Sequence, residues 1–266
     1  MLILKVGGGK AINWDYIAAD LASLAKKEKL IIVHGGKEKR DEIAKQLGKP
    51  TRYVISPSGF QGVYTDKSAL EVLTMVYAGL INKQIVAKLL QYGIKAVGLS
   101  GVDGKLCQGF RKQFLISMEK GVKKVISDTY TGKVEKINTH LLKTLLKENY
   151  VPVITQPAVS YEGGLMNTDN DRTIAVLAKA MHVKKIIILF AAGGFLRNPS
   201  DKRTLVEKIS KQKLANYFQY AHDGMKKKLL GAIEAVDAGV KVIYWGDGRL
   251  KHPVYSVLNG KGTLIS

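Results

Sequence analysis

The sequence predicts an α/β fold: a mostly parallel sheet with helices on both faces. Three observations point there. Short apolar runs alternate with amphipathic stretches nearly from end to end. Glycine clusters follow several of the runs directly, and neither an internal repeat nor a Pro/Gly-rich linker divides the chain. Residues 2–6 read as a buried strand. Ile17, Leu21 and Leu24 then recur at helical spacing behind a cap at Asn13. Residues 30–34 form the next strand, followed by a helix through Ile43 and Leu47. Asp66 opens a long helix with Leu70, Leu73, Tyr77, Leu80 and Ile81 on one side. Strands are expected at 96–99, 151–155, 185–190 and 240–245, and helices at 139–146, 171–181 and 224–238. Hairpins are expected near 53–64 and 114–134, with a third at 158–167 turning at Gly163-Gly164. Together these describe one continuous sheet with two lobes.

Composition narrows the class. The chain has 266 residues, 46% of them hydrophobic and 24% charged, which supports a packed core and excludes wholesale disorder. One cysteine, Cys107, excludes a disulfide framework and a cysteine-built zinc or iron–sulfur site. The longest apolar run, 186–195, is short of a bilayer span, and no signal-peptide pattern precedes the first strand. A soluble cytoplasmic protein, with no membrane role, is expected. The 42 basic and 22 acidic residues leave a net charge of +20, yet only seven of the 42 are arginine. A lysine-rich surface attracts anions in general, whereas base reading favours arginine's bidentate fork. The charge calls for an acidic partner or a merely solvated surface. Nucleic acid ranks lowest, since no binding module accompanies the charge.

Ligands of open α/β sheets bind outside the carboxyl ends of the strands, and there the sequence is informative. Gly7-Gly8-Gly9, Gly35-Gly36, and Gly101 with Gly104 each follow a strand. Such loops turn tightly and present backbone N–H groups to an anion. No P-loop pattern and no properly placed dinucleotide fingerprint is present. Lys5 stands inside the first strand, one residue before the glycines. By itself it reads as an edge lysine; beside three glycine loops it is a candidate to neutralise a transferred phosphate. The run Asn167-Thr168-Asp169-Asn170-Asp171 holds more capping residues than one helix requires. The triplet Lys226-Lys227-Lys228, behind Asp223-Gly224, opposes the dipole of the last long helix unless an anion offsets it.

Lys5-Val6-Gly7-Gly8, Val33-His34-Gly35-Gly36, Asn167-x-x-x-Asp171 and Gly224-Met225-x-x-Lys228, in that order, resemble the amino-acid kinase superfamily, N-acetylglutamate kinase branch. Within that branch, further stretches resemble the kinases that phosphorylate aminoadipate or glutamate held on an amino-group carrier protein. They include Tyr64-Thr65-Asp66, Met75 to Lys83, Gly98 to Gly104, Tyr130-Thr131-Gly132 and Asn259 to Thr263. The likeness covers essentially the whole chain. It implies a three-layer αβα sandwich of the carbamate kinase type, usually dimeric, as a single domain over 1–266. About 1–170 would bind the amino acid and form the dimer, and about 171–266 would bind the nucleotide.

The implied reaction is phosphorylation of a side-chain carboxylate by ATP carrying Mg2+, with no metal site of the protein's own. Lys5 and Lys228 would flank the γ-phosphoryl group and Asp171 would hold them. Gly7, Gly8, Gly35 and Gly194 would contact the nucleotide, and Gly35, Gly36, Val63 and Asn167 the amino-acid substrate. The +20 surface would dock an acidic carrier protein. With the first strand starting at Leu2, the extra helix of the arginine-inhibited kinases, and inhibition through it, is not expected. Three positions depart from the pattern. Val63 stands where the family places a substrate-gripping arginine, for which Arg52 or another basic residue would have to substitute. Phe190-Ala191-Ala192-Gly193-Gly194 replaces a polar nucleotide loop, and Lys37 replaces a third glycine. Two alternatives follow: an N-acetylglutamate kinase acting on the free amino acid, and a degenerate regulatory relative.

Overall fold

The computed structural model describes residues 1–266, the side chain of Asp223 excepted. An eight-stranded sheet runs through its centre. In chain order its strands are β1 (Leu2–Val6), β2 (Leu30–His34), β3 (Ala96–Ser100), β4 (Val151–Thr155), β5 (Lys185–Phe190), β6 (Lys208–Ile209), β7 (Val242–Asp247) and β8 (Thr263–Ile265). Their spatial order is β6-β8-β7-β5-β1-β2-β4-β3, and every pairing is parallel except β7 with β8. The expected limits of β1, β2, β4 and β5 match the structure, because strands buried on both faces are apolar throughout. The expected strand at 240–245 lies two residues later: Gly239, at φ 92°, closes the preceding helix first.

Helices cover both faces. They are α1 (Trp14–Leu24), α2 (Lys37–Gln46), α3 (Lys67–Gln91), α4 (Thr139–Lys147), α5 (Asn170–Ala180), α6 (Asp223–Asp237) and α7 (Pro253–Leu258). Polar caps start them: Asn13 accepts from the N–H groups of Asp15 and Tyr16, Asp66 from Ala69, and Asn138 from Leu141. Two side-chain sets divide the strands by their period of two. Leu2, Leu4 and Val6 of β1 pack with α1, α7 and the end of α3, while Ile3 packs on the opposite face with α4, α5 and α6. Lys5 shares the side of Ile3, which turns it toward α5 and α6. It lies on the central strand with 4% of its surface exposed, so the edge-lysine reading is wrong.

The long helix also differs from its expected form. Its middle, Met75–Ile81, is π-helical, and the wider turn shifts the phase of the inward face. Val76, Tyr77, Asn82, Ile85 and Leu89 point inward, while Leu80 faces solvent with Met75 and Leu90. By length and composition α3 could cross a bilayer, with a mean hydropathy of 1.2 over 18 residues, a property that counting consecutive apolar residues does not reveal. Its inward face is packed against the rest of the protein. All three expected hairpin regions are present, at Tyr53–Ile55 with Gln61–Val63, Leu115–Glu119 with Val122–Ile126, and Ala158–Ser160 with Leu165–Met166. The last of these belongs to a four-stranded sheet with Cys107–Arg111 and Gly132–Ile137.

α5 and α6 approach closely at one point. A Cβ on Gly231 of α6 would lie 2.3 Å from the carbonyl oxygen of Asp171. Glycine in a helix interior costs helix propensity, and here the close approach explains it. Gly231→Ala is expected to force the helices apart and to lower stability by about 1–3 kcal/mol, read as a lower urea midpoint at unchanged slope. An unchanged midpoint would contradict this packing.

Candidate active site

Parallel order places the ends of β1, β2 and β5 side by side, and the two glycine loops after β1 and β2 meet there. A Cβ on Gly8 would lie 2.4 Å from the nitrogens of Gly36 and Lys37, so only glycine leaves that space open. Gly36 caps α2 without a side-chain bond; of the first-turn N–H groups, that of Glu38 donates to the Gly8 carbonyl at 3.2 Å. The N–H groups of Gly7 and Gly35, expected to serve a nucleotide, are already bonded to the carbonyls of Leu189 (2.8 Å) and Val6 (3.0 Å). Among the described residues, those of Gly8, Gly9 and Lys37 have no protein acceptor. Of the three expected donors, Gly8 is open, and Gly7 and Gly35 are not. The third cluster lies apart: Gly101 packs against Cys107 and Ala158 beside the edge strand β3, as a tight turn.

Three charged side chains converge beside the cradle. Lys5 Nζ lies 2.6 Å from Asp171 Oδ1, and Lys228 Nζ lies 3.2 Å from Oδ2. The sequence places them there for separate reasons. β1 carries Lys5 at its carboxyl end, Asp169 caps α5 through the N–H groups of Asp171 and Arg172, and the Gly231 approach brings α6 alongside. Burial alone would raise the Asp171 carboxyl, but the charges of Lys228 and Lys5 hold it well below the ordinary carboxylate range. Burial pulls the Lys5 ammonium down against the lift from Asp171, while Asp171 more than offsets burial at Lys228. Two cations on one anion leave a net positive charge, buried at the carboxyl end of β1. Lys227 pairs with Asp169 Oδ2 at 3.3 Å, so carboxylates of the α5 end offset the lysine triplet that the sequence left unexplained. Lys228 also lies 5.4 Å from the Phe190 ring centroid, a cation–π contact made by the residue that departs from the polar loop pattern.

Asn167 donates from Nδ2 to Thr65 Oγ1 at 2.8 Å, and Val63 ends the hairpin strand that leads to Thr65. The hairpin tip meets the segment that precedes α6, where Phe60 lies edge-on to Phe218 at 6.4 Å. Gly194, at φ 146°, is fixed by packing of its own, since a Cβ would lie 2.6 Å from Thr263 Oγ1. Arg52, the named substitute at the substrate end, pairs with Glu119 at 2.7 Å on the surface. Asp223 opens α6, and its side chain lies outside the described residues.

The support under the glycine loops went unnoticed in the sequence. His34 is fully buried and donates from Nδ1 to the Gly35 carbonyl at 3.0 Å, while Asn82 Nδ2 donates to Nε2 at 3.1 Å. That pattern requires the neutral ring. The His34 main-chain carbonyl accepts from Asn170 and Thr155, which ties β2 to α5 and β4. The only available signal was Gly98, where a Cβ would collide with Asn82 Oδ1.

The amino acid kinase family model matches residues 1–244. A protein of Deinococcus radiodurans named LysW-aminoadipate kinase is 43% identical over 267 residues, covering 100% of this chain and 91% of the relative. The protein of that name from Thermus thermophilus is 40% identical over 268 residues, covering 100% of both. Among solved structures, the N-acetylglutamate synthase of Neisseria gonorrhoeae superimposes with a TM-score of 0.80 at 22% identity. The match covers all of this chain and 59% of the synthase, so the likeness is one of fold.

Burial pushes the His34 ring down to about 4 from 6.5. As the pH falls through 6.5 the unfolded chain takes up a proton that the folded chain refuses. Stability is therefore full above 6.5 and is lost toward pH 4, by about 3 kcal/mol. Urea titrations across that range should show this slope in the parent and a flatter one in His34→Gln; equal slopes would refute the buried neutral ring.

Proposed function

The chain belongs to the amino acid kinase family, and we propose that it transfers the γ-phosphoryl group of ATP to the side-chain carboxylate of 2-aminoadipate or glutamate. The acceptor amino acid is held on an acidic amino-group carrier protein, and the product is an acyl phosphate of lysine and arginine biosynthesis. The observation that carries this reading is the meeting of Lys5 and Lys228 on one buried carboxylate beside the glycine cradle. Both full-length relatives are named for aminoadipate on LysW, which favours the carrier-bound acceptor over free N-acetylglutamate.

The site's chemistry suits the step. A carboxylate with a pKa of about 4 is already ionised at neutral pH, so the attacking oxygen needs no general base. Phosphoryl transfer then depends on positioning and on neutralising charge over the equatorial oxygens. Lys5 and Lys228 supply that charge from opposite sides, and Asp171 keeps the two ammonium groups from repelling each other apart. The free N–H groups of Gly8, Gly9 and Lys37 receive phosphate oxygens, with Gly7 and Gly35 shaping the loops and Gly194 the nucleotide wall. Mg2+ arrives on the nucleotide, because Asp171 has both oxygens committed to lysines. Gly36, Val63 and Asn167 face the acceptor. In this reading about 1–170 holds the amino acid and about 171–266 the nucleotide, in the cytoplasm. The outward apolar residues of α3, Met75, Leu80 and Leu90, form a homodimer contact.

In a coupled ADP-release assay with carrier-bound aminoadipate, Lys228→Ala and Lys5→Ala should each lower kcat by about 100-fold or more. No turnover by the parent would defeat the proposal in favour of the regulatory relative. With a surface of net charge +20 steering an acidic carrier, kcat/KM for that carrier should fall severalfold between low and physiological salt. Insensitivity to salt would remove the docking role.

A further inference from the structure

Resting on that reading, phosphoryl transfer needs Lys228 held at the centre, and α6 is the element that carries it there. Three residues of α6, about one turn apart, face the start of α5. Lys228 pairs with Asp171, Gly231 lies against the Asp171 carbonyl, and Glu234 meets Arg172. Residues three apart are neighbours on a helix surface, so the three contacts form one seam.

The outermost contact is built for direction. Arg172 Nε donates to Glu234 Oε1 and Oε2 at 2.9 and 3.0 Å, and Nη2 donates to Oε1 as well. A guanidinium fork on a carboxylate fixes both a distance and a plane, which an ammonium does not. The main chain of Arg172 is fixed too, because its N–H and that of Asp171 donate to the cap Asp169. Both side chains of the pair are partly exposed. An exposed ion pair adds little to stability, so the value of this one lies in where it holds α6. The pair lines a groove of about 410 Å3, open to solvent between α5, α6 and residues 132–135. On that side the fork spans a gap that apolar packing does not fill.

We infer that Arg172 and Glu234 are positioning residues: their fork sets the turn and height of α6 against α5, and so places the Lys228 ammonium on Asp171. Without Glu234, the guanidinium is left beside Asp169, whose charge already acts on it and which Lys227 holds at 3.3 Å. Competition for that carboxylate loosens the stretch of α6 where Lys227 and Lys228 are adjacent. Without Arg172, α6 loses the same tie from the other end. Either loss frees Lys228 from Asp171, while Lys5, on β1, keeps its place.

Competitive acetylation of the whole protein at one mildly alkaline pH, read lysine by lysine by mass spectrometry, tests this without turnover. The inference and the proposed reaction therefore fail separately. In the parent, Lys228 should label slowly, since Asp171 favours its charged form. Arg172→Gln and Glu234→Gln should each raise that labelling about fivefold. Neither should raise it at Lys5, or at the distant Lys185 that pairs with Glu28. The two variants change local charge in opposite senses, so a purely electrostatic role would move Lys228 in opposite directions. The double variant restores the charge balance but not the fork, and should label like either single one. In the coupled assay each single variant should lower kcat about tenfold and change KM for ATP by less than about twofold. No turnover by the parent defeats the reaction and leaves the labelling to decide. The inference is overturned by unchanged labelling of Lys228, by opposite shifts in the single variants, or by a double variant that labels like the parent. An equal rise at Lys5 and Lys185, or a raised KM at unchanged kcat, overturns it too. If one single variant does not fold, the other and the double variant decide by the same outcomes.

Discussion

Everything in the cleft depends on one buried carboxylate holding two ammonium groups. Like charges at this separation repel strongly in a low-dielectric interior, and neither lysine would remain beside the other without the anion between them. With Asp171 in place, the set carries one surplus positive charge under cover. In the function proposed above, a triphosphate would meet a charge already desolvated and fixed in direction. The arrangement destabilises the free protein locally and stabilises the complex with an anion, which is how electrostatic pre-organisation works.

The rest of the fold serves that contact. β1 must be central so that Lys5 is covered from both sides, and its period of two must turn Lys5 with Ile3 toward α5 and α6. α6 can reach Asp171 only because Gly231 has no side chain. The first two glycine loops can cross only because Gly8 has none either. The neutral His34, held by Asn82, fixes the carbonyl that turns the second loop. Each of these is a constraint on volume or proton count rather than on charge, and together they determine where the charges lie.

Much of this was legible in the sequence. Double-sided burial makes strands such as residues 185–190 apolar throughout, and a lysine inside such a run is conspicuous, so β1 and Lys5 could be found together. The capping residues from Asn167 to Asp171 and the lysine triplet were readable as anomalies, and Asp169 and Asp171 of the one pair with Lys227 and Lys228 of the other. Other features were not legible, for physical reasons. Whether an N–H is free depends on strand register, so Gly7 and Gly8 look alike in sequence although only one is unbonded. A π-helical turn leaves no periodic signature, which is why Leu80 was expected inside. Arg40 reads as one charge among many in a polar helix. It is buried and held by its neighbour Asp41 and by Tyr53, and a one-dimensional reading cannot place Tyr53 beside it.

The position of β1 has a consequence for how the protein comes into being. Its first neighbour, β2, follows at once, but its second, β5, leaves the ribosome only after some two-thirds of the polypeptide, and α6 later still. Until then Lys5 lacks its second flanking strand, and Asp171 lacks its second cation, Lys228. A nascent or prematurely terminated chain thus lacks the means to consume nucleotide, and competence arrives in a single late event near the end of translation.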